Sequence, residues 1–301
     1  VLKKRLIAVL ILRDGQIVQS VNFKHTNVIG NAITAVDFFN KWAVDEIVLL
    51  DVSPTTGKRD RFYPIVEDLS RKCFVPLTVG GWVRDVDEMR RLLRAGADKI
   101  VINTEAVRRP ELISEGAALL GNQCMVVSID ARRIVSGGAA AGEPTISVSG
   151  GAAAGEPTIS VSGGAAAGEP TISVSGGAAA GEPTIQSQHE VFVDRGREAT
   201  GLSPFDWART AEARGAGELF VTSIDHDGVR RGYDLELLRG VADAVDIPVI
   251  AFGGVFTWQH LVDGVVEGHA EAVSAANIFH YTEHSTKKAK EFMRAAGIDV
   301  R

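Results

Sequence analysis

The chain is poor in several things, and each shortage narrows the reading. Only two of its 301 residues are cysteine, Cys73 and Cys124. Both lie in or beside apolar runs, so they read as buried free thiols of a reducing cytoplasm rather than a disulfide or a metal pair. Basic residues are outnumbered, and the formal charge of −6 lacks the basic stripe that a nucleic-acid partner requires. The apolar stretch in the N-terminal VLKKRLIAVLILRDG is broken by Arg13 and Asp14, and no small-residue cleavage site follows it. It reads as a first strand, not as a signal peptide or membrane span. The seven histidines include no pair at zinc-ligand spacing backed by a third ligand, so no metal and no cofactor is expected. Ser128 and Ser223 lack the glycine flanks of a nucleophile elbow, which leaves hydrolase chemistry unsupported.

What remains is a globular chain with ample core: 45% hydrophobic and 23% charged residues. Short apolar, β-rich runs alternate with helical patterns. Strands are expected at Leu6–Leu12, Glu46–Asp51, Val75–Val79, Lys99–Asn103, up to Asp130, Leu219–Asp225, Val249–Phe252 and Ala272–Ala276. Helices are expected at Ala32–Trp42, Tyr63–Lys72, Val86–Ala95, Pro110–Leu120, Pro204–Arg214, Leu235–Val245, Thr257–Val266 and Ser285–Ala296. Eight strand-then-helix units imply a parallel sheet, and eight close naturally into a (β/α)8 barrel. An open doubly wound sheet is the alternative. The run Cys124–Asp130 stands at the centre: a fully buried strand with a carboxylate at its C-terminal end, where such barrels place their chemistry.

The second half repeats the first. Pro76-Leu77-Thr78-Val79-Gly80-Gly81 has its echo in Pro248-Val249-Ile250-Ala251-Phe252-Gly253-Gly254. Each is followed by an amphipathic helix and then by a strand ending in Ile102-Asn103-Thr104 or Ala275-Ala276-Asn277. Glycines just past a strand let the backbone approach a ligand and aim its N–H groups at an anion. Two such places on opposite sides of a barrel mouth suit a substrate with a phosphate at each end; tight turns without a ligand are the bland reading. The half-barrels would span about residues 1–121 and 122–301 of a single domain. One segment breaks the scheme: residues 136–185 run SGGAAAGEPTISV in tandem, with too little apolar surface to offset ordering entropy. It reads as a low-complexity insertion in the loop after the fifth strand, with a small β-stack of the TISV pieces as the alternative.

The stretches RLIAVLILRDG, FKHTNVIGN, DEIVLLDVS, PLTVGGWVRDV, RAGADKIVINTEAV, VVSIDARR, TGLSPFDWA, RGAGELFVTSIDHDG, GYDLELLR and IPVIAFGG together resemble the cyclase subunit of imidazole glycerol phosphate synthase, over nearly the whole chain except the repeat. The resemblance implies a barrel that receives ammonia from a glutaminase of the class I amidotransferase type, paired with it as a heterodimer. It also implies a phosphorylated small-molecule or sugar substrate, with no nucleic acid, no membrane and a cytoplasmic setting. Asp130 matches one of the family's two acid–base aspartates. At the other position this chain has Ile11, and a lysine of the loop after the first strand is here Gln19. Asp51, Gly81, Asn103, Thr104, Thr222, Asp227, Gly228, Gly253, Gly254, Ala276 and Asn277 fall on the substrate- and phosphate-binding pattern. Trp82 stands where the family has a third glycine, and Phe252 replaces a serine. Arg5, Glu46, Lys99 and Glu218 match a ring of charges that gates ammonia at the barrel floor; paired charges that merely plug a barrel end are the structural alternative.

The departures, with FGGVFTWQHLVDG, AANIFHYTEHSTKKA and VFVDRGREATG, resemble the branch linked to surface-polysaccharide synthesis, in which ammonia converts a sugar acetamido group to an acetamidino group. Two alternatives stand beside that reading. One is a true histidine-biosynthesis cyclase, a lyase working with Asp130 alone. The other is a non-catalytic ammonia conduit that docks and activates a glutaminase. Trp82 at the mouth suits stacking on a sugar or base as well as ordinary rim packing. His226, beside Asp227, suits a substrate contact or a solvated loop.

Overall fold

A computed structural model describes residues 3–41, 43–55, 59–134, 189–279 and 285–301. The tandem repeat at 136–185, and with it the expectation of a low-complexity insertion, lies outside the described residues. Eight parallel strands form the barrel: β1 (Arg5–Arg13), β2 (Glu46–Asp51), β3 (Leu77–Gly80), β4 (Lys99–Ile102), β5 (Met125–Arg133), β6 (Glu218–Ser223), β7 (Val249–Phe252) and β8 (Ala272–Ala275). Each pairs with the next, and β8 returns to β1 with Arg5 opposite Ala272 and Ala8 opposite Ala275. The pairing of β5 with β6 closes the ring, which rules out the open doubly wound alternative.

The sequence makes this closure because its strands alternate. Along β1, Leu6, Ala8, Leu10 and Leu12 pack outward in the large core shared with the helices. Ile7, Val9 and Ile11 instead join a second, inner cluster with Val48, Val101, Val126, Phe220, Ile250, Phe252 and Ala272. A period of two thus feeds two cores from one strand. The helices on the outside carry their own start signals. Asp85 caps the helix Val86–Arg94 by accepting from Glu88 N at 2.8 Å, and Asp234 caps Leu235–Ala242 by accepting from Leu237 N at 3.2 Å.

Several boundaries differ from the sequence-based reading. The fifth strand runs on to Arg133, because beyond the barrel its residues pair antiparallel with His189–Val193, placing Asp130 opposite Phe192. The third strand begins at Leu77 rather than Val75, the fourth and eighth end one residue early, and the sixth ends at Ser223 rather than Asp225. The loop after β1 is a hairpin, Gln16–Val21 against His25–Gly30, which the polar and exposed faces of those strands had concealed. Cys73 and Cys124 are free but half-buried rather than buried. Among the described residues, no helix is long and apolar enough to cross a membrane.

Candidate active site

At the N-terminal ends of the strands, Arg5, Glu46, Lys99 and Glu218 form a closed ring. Arg5 Nη1 donates to Glu46 Oε1 at 2.7 Å and to Glu218 Oε1 at 2.8 Å. Lys99 Nζ lies 3.3 Å from Glu46 Oε2 and 2.9 Å from Glu218 Oε2. Positive and negative groups alternate, so each carboxylate bridges both cations. Arg5, Glu46 and Glu218 are buried. Burial alone would lower the affinity of the Arg5 guanidinium for its proton, but Glu218 and Glu46 outweigh it and hold its pKa above the ordinary value. All four are the first inward-facing positions of their strands, and the inner apolar cluster rises directly from them: Ile7 and Val9 above Arg5, Val48 above Glu46, Val101 above Lys99, Phe220 above Glu218.

At the opposite end this column meets polar groups. Asp130 sits where β5 reaches the mouth, with Thr222 of β6 as its register partner. Its carboxylate accepts from Ser128 Oγ and Asn103 Nδ2, each at 3.1 Å. Burial raises its pKa, and the hydrogen bonds from Ser128 and Thr222 oppose that only in part while Asp227 adds to it; the result is about 7. A carboxyl group balanced there can hold or release a proton at neutral pH. Ile11, by contrast, is packed among the inner apolar side chains and 6% exposed. It contributes shape and no proton transfer.

Asp227 is buried and performs a different task. Its Oδ2 accepts from Ser20 Oγ at 2.6 Å and from Phe23 N at 3.3 Å, and its carbonyl accepts from Asn22 N at 2.9 Å. It therefore fastens the β1 hairpin to the loop after β6. Burial raises its pKa, against the Ser20 and Phe23 hydrogen bonds. Gly228 beside it has φ +71°, and a Cβ there would lie 2.3 Å from the Ser20 carbonyl oxygen, so the hairpin backbone approaches as closely as glycine permits.

On the side of the second half-barrel, a cavity of about 460 Å³ opens at the mouth. Gly253, Gly254, Ala276 and Asn277 line it together with Gln19, Asp227 and Gly228, which brings together the expected anion-binding residues of that half. Gly254 has φ +86°, and a Cβ on it would sit 2.1 Å from the Gly232 carbonyl oxygen. Asn277 Oδ1 is buried with no hydrogen-bond partner, so that amide, turned either way, has capacity toward a ligand. Sequence reasoning did not single out Arg230, Phe256, Thr257 or Trp258, which also line it, as does Phe252. Phe252 leans on Phe220, with ring centroids 5.2 Å apart, and both belong to the inner column.

On the first half-barrel's side, Asp51 is buried and accepts from Ser53 N at 3.0 Å and Ser53 Oγ at 2.6 Å. Gly81 (φ +112°) presses on it; an added Cβ would lie 2.4 Å from the Asp51 carbonyl oxygen. Thr104 Oγ1 accepts from Asp194 N at 3.0 Å and lies 3.3 Å from Asn103 Oδ1. The Trp82 indole donates to the Ser53 carbonyl at 3.0 Å. His226 Nδ1 lies 2.8 Å from the Gly232 carbonyl, a contact that serves the loop.

A barrel built of two repeated halves agrees with what a comparison with known families finds. A family model described as "Histidine biosynthesis protein" matches twice in succession, over residues 5–165 and 166–285. The chain belongs to this family. The two matches follow the duplication of the half-barrels, and they place the chain among histidine-biosynthesis-type barrel enzymes. The mouth of this chain carries the apolar and aromatic groups Ile11, Trp82 and Phe252.

Proposed function

We propose that this barrel is an ammonia-using synthase subunit of the imidazole glycerol phosphate synthase type. It is fed by a glutaminase docked below the floor and serves sugar amidation in surface-polysaccharide synthesis. The observation that carries the reading is a contrast between the two ends. The ring of Arg5, Glu46, Lys99 and Glu218 is complete, while the mouth has Ile11 in the apolar interior where a second acid–base group would stand. Ammonia is neutral and pays no ionic desolvation in a column of Ile, Val and Phe, whereas ammonium is rejected by the same lining. Opening the ring on one side admits ammonia. Asp130, at the upper end of the column, takes a proton as the nitrogen adds to the acceptor's amide carbon and returns it to the carbonyl oxygen, whose C–O bond breaks to release water. Gly253, Gly254, Ala276 and Asn277 hold an anionic end of that acceptor, and Gly81, Asn103 and Thr104 the other.

Ring closure of an imidazole needs proton transfers on two sides of the site, and Ile11 supplies none. The test is turnover of the histidine-pathway ribonucleotide with an ammonium salt. The wild-type barrel is expected to give none at ordinary enzymatic rates, and I11D combined with Q19K to gain it. The second reading, a histidine-biosynthesis cyclase, draws support from the near-neutral pKa of Asp130, which suits one carboxyl serving as both acid and base. Wild-type turnover at enzymatic rates, unimproved by I11D, would establish that reading in place of the first.

A further inference from the structure

The segment Asp194–Gly196 lies over the mouth between three strand ends. Asp194 N donates to Thr104 Oγ1 at 3.0 Å, tying it to the loop after β4. Gly196 faces Ile224, just past β6, and Phe23 of the hairpin, both at about 3.1 Å from an added Cβ. Between them, the Arg195 guanidinium stands 5.6 Å above the Trp82 ring, within cation–π range. Four residues here accept a left-handed backbone without being glycine: Phe23 at φ +59°, Trp82 at φ +56°, Asp194 at φ +48° and Arg195 at φ +61°. Such a conformation is uncommon for bulky residues, and strain of this kind gathers at ligand sites. The indole is also fixed from behind by its hydrogen bond to the Ser53 carbonyl.

The Arg195 donors are not exhausted. Its Nε is buried with no hydrogen-bond partner. Among the described residues, its ion-pair partner is Asp194 at 3.5 Å, and that carboxylate is held more closely by Arg197, at 2.6 Å. A buried N–H without an acceptor is costly unless something supplies one.

We propose that Arg195, carried on the Trp82 ring, is a substrate-binding residue that receives an oxyanion, a phosphate or a carboxylate of the acceptor, on the first half-barrel's side of the mouth. A guanidinium offers such a group two parallel N–H donors and a full charge. This replaces recognition by a third glycine with recognition by a side chain, and it makes Trp82 a platform for the arginine. The assignment deepens the proposed function by naming how one end of the substrate is held. It stands or falls separately, because binding is measured without ammonia, glutaminase or turnover.

The experiment is a titration of the full-length chain labelled at its tryptophan indole nitrogens, with W82F identifying the Trp82 resonance. Inorganic phosphate is expected to shift that resonance, and R195Q to weaken the response about tenfold or more. R195K should keep part of the affinity, since it retains the charge and loses the fork. An acetate arm distinguishes the source: a much stronger response to phosphate supports a phosphate, and an equal one supports a carboxylate. The Trp258 resonance, from the cavity on the other side, reports in the same spectra that each variant is folded. A Trp82 resonance indifferent to both anions, or a response that R195Q leaves intact in a folded chain, would overturn the assignment.

Discussion

Replacing Glu46 by glutamine is the sharpest structural perturbation of the floor. In the wild type, two cations and two carboxylates cancel, and Glu46 bridges Arg5 at 2.7 Å and Lys99 at 3.3 Å. E46Q keeps the shape and removes the charge, leaving both cations to share Glu218, at 2.8 and 2.9 Å. Arg5 cannot escape by losing its proton, because its pKa is already held high. Breaking a buried pair by removing one partner costs about 3 to 5 kcal/mol. The surviving Glu218 contacts favour the lower figure. For a barrel of this size about 3 kcal/mol corresponds to a fall in Tm of roughly 6 to 12 °C. The double variant R5M/E46L restores neutrality with apolar groups, so its cost should be smaller than the sum of the separate R5M and E46L costs by about 1 kcal/mol or more. Circular-dichroism melts and urea titrations of E46Q, the two single variants and the double variant give the numbers. If E46Q lies within about 0.5 kcal/mol of wild type, as a change at an ordinary surface position would, the ring is not the buried, mutually dependent unit described above.

Other outcomes follow from single contacts. Because the pKa of Asp130 is raised to about 7, the folded state holds a proton there that the unfolded state has already released. Stability therefore falls as pH rises from about 4 to about 7, and D130N should gain on wild type over that interval and hold a constant lead above it, as read from urea titrations at a series of pH values. S20A leaves the buried Asp227 carboxylate without its 2.6 Å donor, costing about 1 to 3 kcal/mol and speeding amide exchange in the hairpin at residues 16–30; unchanged exchange would mean that Ser20 does not fasten it. G254A puts a methyl group 2.1 Å from the Gly232 carbonyl oxygen at φ +86°, so it should lower Tm and abolish anion binding in the adjoining cavity, measured by calorimetry with inorganic phosphate.

How far the sequence disclosed this molecule depended on where each feature takes its cause. The eight barrel strands were legible because their cause is local: short β-branched runs ended by glycine, asparagine or aspartate. The hairpin was not, since only Ile17, Val18 and the polar Ser20 are buried in Gln16–Val21, and His25–Gly30 is largely exposed. The strand His189–Val193 escaped for a related reason. Its alternation is clear, with His189, Val191 and Val193 buried, but it is short and follows a repeat that carries no periodic signal. Asp130 could be placed at a strand end from the apolar run before it. Its partners Asn103 and Thr222 needed the register between strands, which no single stretch contains. The floor ring was visible only through resemblance, because four charges far apart in the chain say nothing of their meeting. The left-handed backbone of Trp82 had one hint, the glycine that the resembling family carries there; that of its arginine neighbour had none.

The claim on which the account rests is that nitrogen reaches the Asp130 mouth through the floor ring from a docked glutaminase. The most direct measurement mixes this chain with a class I glutaminase of the histidine-biosynthesis type and follows both the mass of the complex and the rate of glutamine hydrolysis. A one-to-one heterodimer with faster hydrolysis, disturbed by substitutions at Arg5 or Lys99 that leave the barrel folded, is the result expected. Two proteins that sediment separately, with hydrolysis indifferent to the barrel, would contradict it.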